Sequence, residues 1–231
     1  MYQANGHYQI IIIGAGGTGS WLASFLSRFN KNVIMVDGDE VEPKNLARQN
    51  FEPDDIYKNK ASVVAAKNEF ALSVDEYLTS TEILDQISDS QKDATPIVIG
   101  AVDNNNTRIL INEWMEQQSN AIWIDGGNNE VNGQTIIHIK KDGSVVEGYE
   151  SPMKVEPALN ETNDDERRPD EISCAEQSES APQSIGANIM SATSIFNIVT
   201  SLLNNKPILN NHYQFNTITN SIHSKSNEEE K

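Results

Sequence analysis

Apolar residues recur along this chain at two different periods, and the switches between them outline its elements. Residues 8–13 end in four isoleucines, Ile10 to Ile13, the mark of a strand buried on both faces. Residues 18–29 place Trp21, Leu22, Phe25 and Leu26 at helical spacing. Residues 32–36 return to a short apolar strand, which completes a βαβ unit with parallel strands and a ligand position at their carboxyl ends. A helix near 60–72 and a short strand around 76–80 follow. Residues 96–102 form the next core strand, and 107–118 a helix whose apolar members are Ile109, Leu110, Trp114 and Met115.

Beyond residue 120 the pattern changes. Residues 120–124 read as a strand ending in Asp125-Gly126-Gly127, and residues 134–140 alternate polar with apolar as a half-exposed strand does. The sheet therefore starts parallel and becomes mixed. Residues 147–171 are rich in Pro, Asn, Asp and Glu without periodicity, the composition of a long mobile connection. A helix over 185–203, a last strand over 213–219 and a disordered charged tail over 224–231 complete the chain, and no internal repeat is present. The pattern predicts an α/β, Rossmann-like nucleotide-binding fold: parallel strands first, then a mixed sheet with antiparallel C-terminal strands. Its expected divisions are a nucleotide-binding core over 1–146, a mobile crossover segment over 147–173, a C-terminal helix and strand over 174–223 that complete the same domain, and the tail.

Composition narrows the choice of partners. With 231 residues the chain can bury a sizeable core. A formal net charge of −17 disfavours nucleic acid and anionic lipid, because like charges repel. Cys174 is the sole cysteine, which excludes an internal disulfide and a multi-cysteine zinc site. Residues 1–8 lack the basic and apolar regions of a secretory signal, and residues 185–203 carry Asn188, Ser191, Thr193, Ser194, Asn197 and Thr200, too polar for a comfortable membrane span. A cytoplasmic protein is the expectation.

The chemistry starts at the first strand–helix junction. Gly14, Gly16 and Gly19 fit G-x-G-x-x-G between a strand and a helix, where exposed N–H groups at a helix N-terminus hold phosphate. Asp37 follows the second strand, with Asp39 beside it; such an acid accepts from ribose hydroxyls, and its other reading is a turn residue. Asn45, Arg48 and Gln49 lie just beyond, and Lys60 opens the next helix, so two cations can converge on anionic oxygens. Asp103 follows the 96–102 strand. Its carboxylate suits Mg²⁺ bridging nucleotide phosphates, and helix capping is the competing reading.

The segments Gly14-Ala-Gly-Gly-Thr-Gly-Ser20, Val36-Asp-Gly-Asp-Glu-Val41, Asn45-Leu-Ala-Arg-Gln49, Lys60 and Val102-Asp-Asn104 with Arg108 together resemble the ubiquitin-activating-enzyme-like adenylyltransferases, which include ThiF, MoeB and HesA. The resemblance spans roughly residues 8–127. It implies ATP-dependent adenylation of the C-terminal glycine carboxylate of a ubiquitin-like or sulfur-carrier protein, with ATP and Mg²⁺ as cofactors and a homodimer as the default assembly. By that likeness the loop Gly14, Gly16, Gly17 and Gly19 and the group Asn45, Arg48, Gln49 and Lys60 surround the phosphates, Asp37 and Asp39 the ribose, and Asp103 the metal, with Arg48, Lys60 and Asp103 serving the transfer itself. Cys174 stands where some members carry a cysteine that receives the activated acyl group as a thioester; its bland reading is a small buried hydrophobe. The chain departs from the family pattern in lacking two Cys-x-x-Cys zinc pairs, an arginine before Tyr8 that could reach a partner subunit's ATP, and a recognisable β-grasp adaptor.

Two other readings fit parts of the pattern. A nicotinamide-dependent Rossmann oxidoreductase accounts for Gly14, Gly16, Gly19 and Asp37 but leaves Arg48, Lys60 and Asp103 without a role. A non-catalytic subunit of an activating heterodimer accounts for the missing N-terminal arginine.

Overall fold

The alternation of side chains along buried strands feeds two cores, one on each face of a single sheet. A computed structural model describes residues 1–3, 7–29, 32–68, 71–161 and 184–225. Its elements, in chain order, are β1 (Tyr2–Gln3), β2 (Tyr8–Ile13), α1 (Gly17–Leu26), β3 (Val33–Val36), α2 (Lys60–Lys67), β4 (Ala71–Val74), α3 (Thr81–Asp89), β5 (Thr95–Gly100), α4 (Asn105–Gln117), β6 (Ala121–Asn128), β7 (Asn132–Lys141), β8 (Ser144–Val145), α5 (Pro152–Val155), α6 (Ile185–Leu203), β9 (Pro207–Ile208), β10 (His212–Asn216) and β11 (Ser221–Ser224). Short 3₁₀ turns occupy Pro43–Ala47, Pro53–Asp55 and Pro157–Asn160.

The main sheet runs β11-β10-β7-β6-β5-β2-β3-β4, with β8 paired to β7. β2 lies parallel between β3 and β5, β4 extends β3 and β6 extends β5, all in parallel. The direction reverses at β7, and β7, β10 and β11 are antiparallel to their neighbours. Ile10 and Ile12 join Val33, Met35, Ile97 and Ile99 beneath α1, α2 and α6. Ile11 and Ile13 join Ile34, Val36 and Val98 beneath α3, α4 and α5. The α/β, Rossmann-like expectation holds, including the change from parallel to antiparallel strands.

Several local expectations are corrected. The helix expected over 60–72 stops at Lys67, because Asn68 is extended (φ −121°), and β4 at Ala71–Val74 replaces the strand expected at 76–80 by pairing in register with β3. Helix α3 was unforeseen, although Ile83, Leu84 and Ile87 recur in it at helical spacing and pack on the α4-side core. The mobile connection expected from residue 147 is packed over its described part. Tyr149 and Met153 are buried, Tyr149 donates its hydroxyl to the Ile208 carbonyl, and its own carbonyl accepts from Ile139 N–H at 3.2 Å. Two isolated anchors in a polar stretch held that backbone down. At the other end Ser224 belongs to β11 rather than to the tail.

Helix α6 is long and apolar enough to cross a membrane by length and composition, with half of that window buried inside the protein. Its buried residues Ala192, Ile195, Val199 and Leu202 complete the α1-side core.

Candidate functional site

The carboxyl ends of β2, β3, β5 and β6 come together at the start of α1. Gly14 turns the chain out of β2 with φ +97°, and a Cβ there would lie 2.6 Å from the Ala101 carbonyl, so both conformation and space demand glycine. At Gly19 a Cβ would lie 1.8 Å from the Gly14 carbonyl, so α1 packs directly on the loop. Gly17 lies against the Asn188 amide, whereas Gly16 faces open space. Gly16 is also the residue that precedes α1, and no side chain caps this terminus or places an acid in its first turn. The first-turn N–H groups and the positive end of the helix dipole therefore front a glycine that leaves room for an anion.

The acidic corner is tied to that loop. Asp37 Oδ2 accepts from Ala15 N–H at 2.6 Å and Oδ1 from Asp39 N–H at 2.8 Å. Burial pushes its carboxyl up to about 6, the Lys60 ammonium opposing and the Asp39 charge adding to the shift. Lys60 opens α2 behind the cap residue Asn59, whose Oδ1 accepts from Ser62 N–H and whose Nδ2 donates to the Asp37 carbonyl, each at 2.9 Å. The Lys60 side chain is buried and its Nζ lies 2.8 Å from Asp39 Oδ2. Tyr77 donates its hydroxyl to Asp39 Oδ1. Each carboxylate oxygen in this corner thus accepts from a protein donor, and a carboxylate oxygen has two acceptor directions.

The turn after the corner packs between α1 and α6. Asn45 is buried, and its Oδ1 accepts from Glu42 N–H at 2.8 Å, closing its own 3₁₀ turn. The Arg48 carbonyl accepts from Trp21 Nε1 at 3.2 Å and Asn188 Nδ2 at 3.4 Å. Gln49 is buried with no hydrogen-bond partner for Oε1. Asn50, unmarked in the sequence, clips the turn to α1 by donating to Ser20 Oγ at 3.0 Å and Ser24 Oγ at 2.8 Å.

On the other side of the loop, Asp103 is exposed just beyond β5. The capping role falls to Asn104, whose Oδ1 accepts from Thr107 N–H at 2.9 Å. Among the described residues no group of three His, Cys, Asp or Glu side chains is placed to hold a metal ion. A lone exposed carboxylate fits Mg²⁺ only together with phosphate oxygens and water, which is how that ion is commonly held at nucleotides. Cys174 lies outside the described residues.

Two constellations here were not foreseen from the sequence. Arg108 is buried and spans the floor of the site: Nε lies 3.1 and 3.2 Å from the two oxygens of Asp125, Nη1 donates to Asn105 Oδ1 at 3.2 Å and Nη2 to the Val102 carbonyl at 2.6 Å. Burial pushes the Asp125 carboxyl up while Arg108 draws it down. Above it, Thr18 Oγ1 donates to Asn128 Oδ1 at 3.2 Å and Asn128 Nδ2 to Asn188 Oδ1 at 3.1 Å, joining α1, β6 and α6. The signal for both was polarity inside apolar elements, Asp125 closing a strand and Asn188 early in an otherwise apolar helix.

Comparison with known proteins follows the same outline. The chain is 30% identical over 143 residues to ubiquitin-like modifier-activating enzyme 5 of Drosophila melanogaster, covering 56% of this chain and 35% of that protein. The rice protein of the same name is 24% identical over 144 residues, covering 56% and 34%. The chain spans about a third of the length of these relatives. Among solved structures, E. coli MccB with AMPCPP and MccA superposes with a TM-score of 0.67 at 18% identity, over 95% of this chain and 63% of that one. PaaA superposes with a TM-score of 0.64 at 18% identity, over 95% and 64%. At these identities the structural likeness shows the Rossmann-like fold alone. The model of the ThiF family matches residues 2–231, and the chain belongs to that family.

Proposed function

We propose that this protein uses ATP to adenylate the C-terminal glycine carboxylate of a ubiquitin-like or sulfur-carrier protein. The observation that carries the reading is the uncapped N-terminus of α1 behind Gly16, open to an anion and flanked by the Asp37–Asp39–Lys60 corner. The names of the relatives add support: a ubiquitin-like modifier-activating enzyme by sequence, and MccB solved with ATP by fold.

In this reading the backbone of Gly14, Gly16, Gly17 and Gly19 cradles phosphate, and Asp37 and Asp39 accept from the ribose through their remaining lone pairs. Arg48 and Lys60 neutralise phosphate charge, with Asn45 and Gln49 lining the same turn. Asp103 would hold Mg²⁺, which when bound neutralises charge on the phosphate oxygens. The carrier carboxylate attacks the α-phosphorus, a new O–P bond forms, the bond to the β-phosphate oxygen breaks, and pyrophosphate leaves with that electron pair. Because the carboxylate is already anionic at neutral pH, no general base is needed; the protein's contribution is alignment and charge neutralisation. Transfer of the acyl group to the Cys174 thiolate, with release of AMP, is the proposed second step, and a homodimer in the cytoplasm the proposed setting.

Carrier-dependent exchange of labelled pyrophosphate into ATP tests the first step. Exchange that requires the carrier's terminal glycine is the expected result, and its absence across a panel of candidate carriers overturns the reading. Binding of a nicotinamide dinucleotide without Mg²⁺, and no binding of ATP, would favour the oxidoreductase reading instead. A thioester trapped with the wild-type protein and lost in Cys174→Ala tests the second step.

A further inference from the structure

Tyr77 enters the acidic corner without any mark in the sequence, and the nucleotide reading gives it no task. Its hydroxyl donates to Asp39 Oδ1, while the Lys60 ammonium sits 2.8 Å from Asp39 Oδ2. Its ring presses on the middle of the corner: a Cβ on Gly38 would lie 2.7, 2.8 and 2.9 Å from three ring carbons. Gly38 is not among the glycines with positive φ, so the ring is what excludes a side chain there. The Asp39 carboxylate is thereby held from both sides, by a neutral donor on one oxygen and a cation on the other.

Building on the ATP-binding reading above, we propose that Tyr77 is a positioning residue for the triphosphate, fixing the Asp39 carboxylate so that Lys60 pairs with one of its oxygens rather than two. The physical reason lies in the donors. An ammonium carries three rotatable N–H bonds, and a carboxylate free to turn presents both oxygens to it. Such a chelated ammonium gives up more of its attraction when a phosphate approaches. A tyrosine hydroxyl occupies Oδ1 without adding charge, so it restrains the carboxylate and leaves the net field at the phosphates unchanged. The ring over Gly38 holds the hydroxyl in place.

Tyr77→Phe removes the hydroxyl and keeps the ring. Calorimetry with Mg²⁺ is expected to show ATP binding weakened about tenfold, the scale of one hydrogen bond to a charged group, with adenosine, which meets Asp39 through the ribose alone, weakened by a clearly smaller factor. Equal weakening for both ligands, or none for ATP, overturns the proposal. Gly38→Ala displaces the ring from outside the phosphate contacts and is expected to cost ATP affinity to a similar degree. Both changes disable one device, so the double variant should bind about as well as either single variant; additive losses overturn the proposal. If the wild-type protein binds no ATP, the functional reading fails on its own. The positioning claim is then decided in the free protein by acylation of Lys60 with an amine-reactive ester, quantified by mass spectrometry. Labelling slower in Tyr77→Phe than in wild type supports tighter capture by Asp39, and equal or faster labelling overturns it.

Discussion

The parallel and antiparallel halves of the one sheet are built to different rules. In β2 and β3 every residue is buried, and in β5 all but the first; in β10 and β11 burial is partial, and three of the four residues of β11 are exposed. A strand covered by helices on both faces has no room for ligand chemistry along its length, so the candidate site gathers where the strands end: Gly14 after β2, Asp37 after β3, Asp103 after β5, and Asp125 to Asn128 closing β6. The antiparallel half extends the sheet and supports α6, which returns Asn188 to the start of α1. Substitutions should therefore cost most near the junction of the parallel ends and least on the outer strands.

The largest effect is expected at Arg108. Replacing it with alanine leaves Asp125 buried without its partner and should cost about 3–5 kcal/mol, read as a lower denaturant midpoint; a loss below about 1 kcal/mol would place the pair in a far wetter setting than its burial implies. Gly14→Ala comes next, at about 2–3 kcal/mol, since it adds a positive-φ strain to a backbone collision. An unchanged midpoint there would show that the loop relaxes freely.

Asp37 gives a smaller effect with a definite sign. Its carboxyl holds a proton up to about 6 in the folded protein against 3.8 ordinarily, so between these values the folded state binds more protons than the unfolded one. Its contribution to stability is full below about 3.8 and is lost as pH rises through about 6. Relative to Asp37→Asn, the wild type should lose on the order of 1 kcal/mol between acid and neutral pH, the partial exposure of the residue limiting the figure. Parallel melting curves for the two proteins across that range would refute it. The smallest effect belongs to the outer strand, where Ile222→Thr on β11 should change stability by less than about 0.5 kcal/mol, and a large loss would show that this face is covered.

How much of this was legible beforehand follows a physical line. Ile10–Ile13, the glycine loop and α6 declare themselves because each carries its own pattern: an unbroken apolar run, residues with special backbone needs, a long helical stripe. The partition between α2 and β4 did not, because Leu72 suits either element and only the hydrogen bonds offered by β3 decide. Tyr149 and Met153 were lost in a polar average, since a segment can be anchored by two side chains without any period. At the site, the sequence named Asp37, Asp39 and Lys60 but not that Asp39 would be shared between Lys60 and Tyr77, residues 17 positions apart in the chain that meet through the turn of β4.

By itself, then, the sequence determined which segments must be buried and where the backbone had to turn, because hydrophobic period and glycine stereochemistry are local properties. Only the tertiary structure decided how the polar groups are paired: Arg108 with Asp125, Asn128 with Asn188, Tyr77 with Asp39. A buried hydrogen bond needs a partner at a set distance and angle, and that partner is supplied by whichever element the packing brings alongside.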